Sequence, residues 1–161
     1  MRRTEAERAI DLAYKAVARR DLTVAELRTR LERKHVPPEA IDEAVAELEE
    51  TGFLDDARYA RQFTEDKREL EQWGSDRIAQ DLRRRGIAPQ LIDAAVSTRD
   101  RDSELRTALL LLKERYKQAP RDDRDRDRAW QMLVRRGYSP DLAYDAIRIW
   151  ERAERERRRA A

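Results

Sequence analysis

Three of the short basic runs in the sequence recur at equivalent positions, and their side chains are the ones best suited to a chemical role. The runs are Arg33-Lys34, Arg83-Arg84-Arg85 and Arg135-Arg136. Guanidinium and ammonium groups bind phosphate and carboxylate oxygens. Each run also follows a segment with helical periodicity, where a cation offsets the helix dipole. Recurrence at three equivalent places favours a binding role, with a phosphate backbone or an acidic protein surface as partner.

Residues that could support catalysis are scarce. The chain has one histidine, His35, no cysteine and four scattered glycines, which excludes thiolate chemistry, a Ser-His-Asp set and a glycine-rich phosphate loop. The acidic pairs Asp55-Asp56 and Asp122-Asp123 could hold Mg²⁺. They also fall where helices are expected to begin, and acids there complement the dipole. We therefore predict a protein that is not an enzyme, with no catalytic residue, metal site or cofactor.

The composition points to a cytoplasmic protein with a highly charged surface. Of the 161 residues, 43% are charged, yet the net charge is only +2. The longest apolar run, residues 108–112, is too short to span a membrane, and the first residues do not resemble a signal peptide. We therefore expect no interaction with membranes. Because no long heptad pattern is present, we also expect a monomer.

A repeated pattern organises the chain. Residues 84–89 read Arg-Arg-Gly-Ile-Ala-Pro, and residues 135–140, which lie 51 positions later, read Arg-Arg-Gly-Tyr-Ser-Pro. Residues 33–38 read Arg-Lys-His-Val-Pro-Pro, which keeps the basic pair, the apolar residue and the final proline, while His35 stands where the others have glycine. The pattern predicts a helix that ends at a left-handed residue, followed by a helix that begins at proline. His35 is then either a residue tolerated in this turn or a pH-sensitive switch.

Apolar residues with helical spacing precede each of these helix pairs and predict one more helix per repeat. No segment alternates with period two. The predicted fold is all-α: three tandem three-helix repeats with a period of about 51 residues, stacked in an elongated array. The predicted repeats are residues 1–52, residues 53–99 and residues 100–161, the last with a charged carboxy-terminal extension.

One segment resembles a known family signature. Residues 52–60, Gly-Phe-Leu-Asp-Asp-Ala-Arg-Tyr-Ala, closely resemble the glycine-hydrophobic-Leu-Asp-Asp-x-Arg-aromatic-Ala signature of the bacterial RecX family. Trp73-Gly74 and the following Arg85-Gly86-Ile87 resemble its next segment, and Leu22-Thr23 and Arg136-Gly137 also agree. The resemblance runs from about residue 9 to residue 150.

The resemblance implies a curved array of three-helix repeats and a role as a negative regulator of the recombinase RecA. RecX proteins lodge in the groove of the RecA filament on single-stranded DNA, inhibit its ATPase activity and strand exchange, and promote disassembly. They thereby modulate homologous recombination, DNA repair and the SOS response, and some also bind single- or double-stranded DNA. His35 and the carboxy-terminal Arg/Glu-rich extension depart from the family pattern.

The candidate contacts with RecA or DNA are basic residues of the repeated turns and of the signature, together with Arg28. They are Arg28, Arg33, Lys34, Arg58, Arg83, Arg84, Arg85, Arg135 and Arg136. Two alternatives stay open. One is a nonspecific DNA-binding helical module that acts by competing for DNA, against which the small net charge argues. The other is a helical scaffold for a different partner.

Overall fold

The computed structural model describes residues 3–161, and within them it contains nine α-helices and no strand. This confirms the all-α prediction. The helices are α1 (Glu5–Arg19), α2 (Val24–Arg33), α3 (Pro38–Glu50), α4 (Asp56–Leu70), α5 (Ser75–Arg84), α6 (Pro89–Val96), α7 (Arg101–Arg115), α8 (Asp123–Arg135) and α9 (Pro140–Ala160).

The turns after α2, α5 and α8 have the same hydrogen-bonding pattern. The left-handed residue is His35 (φ 59°), Gly86 (φ 82°) or Gly137 (φ 98°). The apolar residue after it donates its N–H to the carbonyl five residues back, as Tyr138 does to Leu133 at 3.1 Å. The left-handed residue donates to the carbonyl three residues back, as Gly137 does to Val134 at 3.0 Å. These are the two bonds of a Schellman motif, and they confirm the predicted helix ends.

The helix starts also follow the sequence signals. Proline is the first residue of α3, α6 and α9, where its missing N–H is not needed. Thr23 and Glu26, which have the spacing of a capping box, form one at the start of α2: the Thr23 hydroxyl accepts from the Glu26 N–H at 3.1 Å, and Glu26 accepts from the Thr23 N–H at 3.1 Å. Ser139 caps α9 by accepting from the Leu142 N–H at 3.3 Å.

The chain forms two compact units. The amino-terminal unit comprises the residues up to Phe63 together with Asp81–Ala95, and the carboxy-terminal unit comprises Thr64–Gln80 and Val96–Ala161.

The core of the amino-terminal unit is built on α1, α2 and α3. Ala9 and Ala13 of α1 are fully buried, and their small side chains let α1 pack closely along α3. Leu27, Leu31 and Leu48 fill the space beside them. Tyr14 lies at the edge of this core, where its ring meets Phe53 edge to face at 5.2 Å.

The core of the carboxy-terminal unit is built on α7, α8 and α9 and contains larger side chains. Leu112, Leu133 and Trp150 are buried there together with Tyr138. Burial raises the pKa of the Tyr138 hydroxyl to about 12, so this group stays protonated at neutral pH. It donates a 3.0 Å hydrogen bond to the carbonyl of Gln72, in the loop after α4.

Candidate partner-binding surface

The two aspartates of the signature segment cap two different helices. Asp55 caps α4, since its carboxylate accepts from the Arg58 N–H at 3.0 Å. Asp56 accepts instead from the Val24 N–H at 2.9 Å, at the start of α2. This confirms the capping interpretation of the pair, with the addition that Asp56, the first residue of α4, caps a different helix, α2. Burial raises the pKa of Asp56, and Glu49, Asp55 and Glu26 act in the same direction.

Other residues of the signature hold the same region together. Arg58 donates to the carbonyl of Gly52 at 2.9 Å. The hydroxyl of Tyr59 accepts from Arg85 at 2.7 Å, and the Arg85 guanidinium lies 4.8 Å from the centre of the Phe63 ring. The most specific part of the family signature therefore acts as a structural element.

The turn after α5 packs on the start of α2, and we call this contact the first joint. The Thr23 hydroxyl donates to the carbonyl of Arg85 at 2.6 Å. A Cβ atom on Gly86 would lie 2.3 Å from the Cβ of Ala25, which is far inside contact distance. Glycine is needed at position 86 both for its positive φ and for this close approach.

An equivalent contact, the second joint, lies in the carboxy-terminal unit. The N–H of Gly74 donates to the carbonyl of Arg136 at 2.8 Å, and the N–H of Asp76 donates to that of Gly137 at 2.9 Å. A Cβ atom on Gly137 would lie 2.3 Å from the Cβ of Arg77. Gly74 and Gly137 each lie 51 residues after Thr23 and Gly86, so the two joints use equivalent positions.

Four of the predicted contact residues lie together in the amino-terminal unit. They line a cavity of about 470 Å³ that we call the basic groove. Its charged residues are Arg20, Arg30, Arg33, Lys34, Arg84, Arg85 and Glu26. Glu26, the one carboxylate among the lining residues, is held by the Thr23 N–H and lies 3.6 Å from Arg20. Six cations facing one occupied carboxylate make this groove attractive to an anionic surface.

The cations of the groove differ in their freedom to bind a partner. The Arg84 side chain is 72% exposed, although it lies 3.5 Å from the Asp81 carboxylate, and Arg33 and Lys34 are exposed. Arg85 is only 31% exposed, because Tyr59, Phe63 and Asp81 surround it. Arg84 and Arg33 are therefore the better contact candidates, and Arg85 positions the turn.

Three other predicted contacts of this unit lie outside the residues that line the groove. Arg28 forms an ion pair with Asp42 at 2.7 Å, and Arg58 is bound to the Gly52 carbonyl. Arg83 is exposed on α5.

Arg135 and Arg136 belong to the carboxy-terminal unit. Arg136 donates to the carbonyl of Glu71 at 2.7 Å, and the carbonyl of Arg135 accepts from Arg77 at 3.3 Å. The side chain of Arg136 and the backbone carbonyl of Arg135 are therefore both engaged at the second joint.

Two groove residues, Arg20 and Arg30, were missed by the sequence prediction, which followed mainly the recurring helix ends and the family signature. Arg30 lies one turn before Arg33 and Lys34, so helical spacing alone places it on their side of α2. Arg30 and Lys34 also line a neighbouring cavity of about 190 Å³ with Lys15 and Arg19 of α1. The basic surface therefore extends from the end of α5 across α2 to α1.

The described residues contain no group of three or more His, Asp or Glu side chains arranged to hold a metal ion. None of the described helices combines the length and the apolar character that crossing a membrane requires.

Comparison with known proteins decides the family. The family description "RecX, first three-helix domain" matches residues 9–48, and "RecX, second three-helix domain" matches residues 55–96. The chain is 35% identical over 147 residues to the regulatory protein RecX of Deinococcus radiodurans, an alignment that covers 91% of this chain and 70% of the relative. The chain belongs to the RecX family. The regulatory protein RecX of Trichlorobacter lovleyi is 37% identical over 135 residues, covering 81% of this chain and 87% of the relative.

Solved RecX structures share the fold. The crystal structure of RecX from Lactobacillus salivarius superposes with a TM-score of 0.81 at 17% identity, covering 91% of this chain and 97% of that chain. A second crystal structure of a regulatory protein RecX gives a TM-score of 0.75 at 22% identity, covering 89% of this chain and 71% of the other. The RecX fold therefore persists although most side chains differ.

Proposed function

We propose that this RecX-family chain is a non-catalytic, cytoplasmic negative regulator of RecA. It binds in the groove of the RecA filament on single-stranded DNA, inhibits ATP hydrolysis and strand exchange, and favours filament disassembly. Relatives from several bacteria carry the name regulatory protein RecX, which supports a regulatory role. The effect on recombination, repair and the SOS response follows from the state of the filament.

The observation that carries this proposal at the residue level is the basic groove. Its exposed cations, Arg33, Lys34 and Arg84, project from the ends of two helices that the first joint holds together. Charges arranged on a rigid support fix the register of a complex and raise its rate of association. A regulator that contacts several filament subunits favours one filament state over another, which is the requirement for shifting an equilibrium.

The test is the ATPase rate of RecA filaments on single-stranded DNA as the protein is titrated in, with DNA in excess. We expect inhibition at amounts well below the number of RecA subunits. Inhibition that begins only when the protein saturates the DNA would instead support the alternative function, a nonspecific DNA-binding module that competes for DNA.

A charge-matched pair of double variants tests the groove itself. Arg33→Glu with Arg84→Glu should weaken inhibition by roughly tenfold, since the loss of a few tenths to one kcal/mol per exposed charge contact accumulates. Arg124→Glu with Arg152→Glu changes the net charge equally and lies on exposed positions of α8 and α9 outside the groove. Equal losses in both variants would contradict the assignment of the groove as the contact surface.

A further inference from the structure

The carboxy-terminal unit contains a cavity that the proposed function does not use. It has a volume of about 360 Å³ and lies against the loop between α7 and α8. We call it the α7–α8 cavity. Its lining residues are Tyr116, Lys117, Gln118, Ala119, Pro120, Arg121, Asp125, Arg128, Ala129 and Trp150.

Two residues that line this cavity correspond in sequence register to residues of the two joints. Asp125 lies 51 residues after Gly74 and 102 after Thr23, the residues that bond to the incoming turn in the second and first joints. Arg128 is related in the same way to Arg77 and Glu26. Helix α8 begins earlier than α2 and α5 in this register, so Asp125 lies inside the first turn of α8 and its N–H is bonded to Asp122. The lining residues of the cavity all come from the α7–α8 loop, α8 and α9.

The floor of the cavity is apolar. Ala119, Ala129 and Trp150 are buried beneath it, and Tyr116 is partly buried at its side. A volume near the lower end of the usual range for binding pockets, about 300–1,000 Å³, suits one large apolar side chain. Trp150 is only 4% exposed, so it presents no ring face on which a nucleic-acid base could stack.

The rim of the cavity is basic. Lys117, Arg121 and Arg128 line it with a single carboxylate, that of Asp125. Asp125 already accepts a hydrogen bond from the Arg121 N–H at 3.3 Å. The position equivalent to Arg128 is Glu26 in the first joint and Arg77 in the second, so its charge varies between the joints. The acidic preference therefore follows from the rim of this cavity alone: three cations beside one hydrogen-bonded carboxylate favour a segment of opposite charge.

We propose that the α7–α8 cavity is a docking site for an acidic segment of a partner protein, which inserts one apolar side chain above Trp150. The carboxylates of the segment pair with Arg121, Arg128 and Lys117 at the rim. This docking site belongs to the carboxy-terminal unit and does not depend on the RecA-directed role of the basic groove.

The test uses the full chain and a fluorescein-labelled probe peptide, Glu-Asp-Phe-Glu-Asp, followed by anisotropy at low and moderate salt. Two matched peptides replace the acids by amides (Gln-Asn-Phe-Gln-Asn) or the aromatic residue by alanine (Glu-Asp-Ala-Glu-Asp). We expect each change to weaken binding by roughly tenfold, because charge and apolar contact both contribute. Equal binding of the three peptides would overturn the proposal.

A pair of charge-matched variants locates the site. Arg121→Glu with Arg128→Glu should abolish binding of the acidic peptide, whereas Arg124→Glu with Arg152→Glu should leave most of it, because neither residue lines the cavity. Equal losses in the two variants would show that net charge alone attracts the peptide and would overturn the site. Circular dichroism checks that both variants keep their helical content.

Amide and indole chemical shifts of the unmutated protein give a second, independent readout. The peptide should move the signals of Tyr116, Ala119 and Trp150. Shifts confined to Arg33, Lys34 and Arg84 would place the peptide in the basic groove and overturn the proposal. A thymidine oligonucleotide that moves the cavity signals more strongly than the peptide would assign the cavity to nucleic acid instead. None of these outcomes involves RecA, so they are separate from the ATPase test.

Discussion

Gly86 approaches Ala25 so closely that a single added methyl group would collide with it: a Cβ atom on Gly86 would lie 2.3 Å from the Cβ of Ala25. This contact joins the turn after α5 to the start of α2. The equivalent contact of Gly137 with Arg77 has the same 2.3 Å approach. The glycine that recurs in two turns of this chain, at positions 86 and 137, therefore lets each turn approach the start of another helix closely.

The first prediction compares Gly86→Ala with Gly52→Ala. Both glycines have positive φ, but nothing lies within 4 Å of a Cβ atom on Gly52. In the Gly52 variant the free energy of unfolding should fall by about 1–2 kcal/mol, because alanine is strained in the left-handed conformation. In the Gly86 variant it should fall by a further ~1–3 kcal/mol, because the added Cβ atom also collides with Ala25. Urea denaturation followed by circular dichroism measures both, and equal losses would contradict a tight joint at Gly86.

The second prediction concerns His35, which adopts φ 59° in the turn after α2. His35 and Lys34 are exposed, so a side chain at position 35 meets no joint. His35→Gly should raise the free energy of unfolding by about 0.5–1 kcal/mol, since relief of the left-handed strain exceeds the entropy that glycine adds to the unfolded chain. A variant less stable than the unmutated protein would show that the imidazole makes a stabilising contact.

The third prediction concerns Asp56, whose carboxylate caps α2 through the Val24 N–H. Asp56→Ala removes the acceptor and should lower the free energy of unfolding by about 1–2 kcal/mol. Asp56→Asn keeps an acceptor oxygen and removes a charge whose burial and acidic neighbours are unfavourable. The asparagine variant should therefore be close to the unmutated protein in stability at pH 7. An asparagine variant as unstable as the alanine variant would show that the cap requires the charge.

The pH dependence of these variants follows from the sign of the shift. Burial raises the pKa of Asp56 in the folded protein, so the folded state holds this proton more tightly than the unfolded chain does. The stability contributed by Asp56 is therefore greatest below the unfolded pKa, about 3.9, and is lost as the pH rises through the folded value. As the pH rises from the unfolded pKa through the folded pKa, the unmutated protein should lose stability relative to Asp56→Asn. The difference between the two urea midpoints, measured from pH 3 to pH 7, checks the sign.

The fourth prediction concerns Arg68 of α4, a charged side chain that is 94% buried, since only 6% of it is exposed. Its guanidinium donates to the Val96 carbonyl at 2.6 Å, to the Thr98 hydroxyl at 3.0 Å and to the Ser75 hydroxyl at 3.1 Å. Burial lowers the pKa of Arg68, and the nearby Arg99 acts in the same direction.

Replacing Arg68 should destabilise the carboxy-terminal unit. Arg68→Met keeps the aliphatic bulk but leaves these acceptors without their donor, so we expect a loss of about 2–4 kcal/mol. Arg68→Lys retains the charge but has a single nitrogen, and it should lose a comparable amount. Hydrogen exchange of the amides of α7, which belongs to the carboxy-terminal unit, provides the measurement. Unchanged protection in the methionine variant would show that the buried cation is dispensable.

Local signals in the sequence were sufficient to predict the helices and many of their ends. The prolines at 38, 89 and 140, the Thr23–Glu26 capping box and the Gly86 and Gly137 turns all act within a few residues of themselves. Such hydrogen bonds depend on local backbone geometry, so residue type and spacing are enough to predict them. The family signature at residues 52–60 was equally readable, although its structural role was not.

The candidate surface was predictable only in part. Arg33, Lys34, Arg84 and Arg85 recur at helix ends and do line one groove, but Arg20 and Arg30 joined them without any repeat signal. Arg58, Arg85 and Arg136 looked equivalent to the exposed cations, yet they bond to Gly52, Tyr59 and Glu71. A sequence shows that a residue is basic and where it lies on its helix. It does not show which hydrogen-bond acceptor the folded chain places beside the guanidinium group.

The sequence by itself thus determined the helical elements, the repeated turns and the family of this protein. Only the tertiary structure decided that Asp56 caps α2 rather than its own helix. It likewise decided that position 86 must lack a side chain because Ala25 lies so close to it. It also decided which cations face solvent and which hold a joint. The physical reason is range. A cap or a turn is closed by neighbours within one helical turn, whereas a joint brings together residues about 60 positions apart, as Thr23 and Arg85 are, and their meeting depends on how whole helices pack.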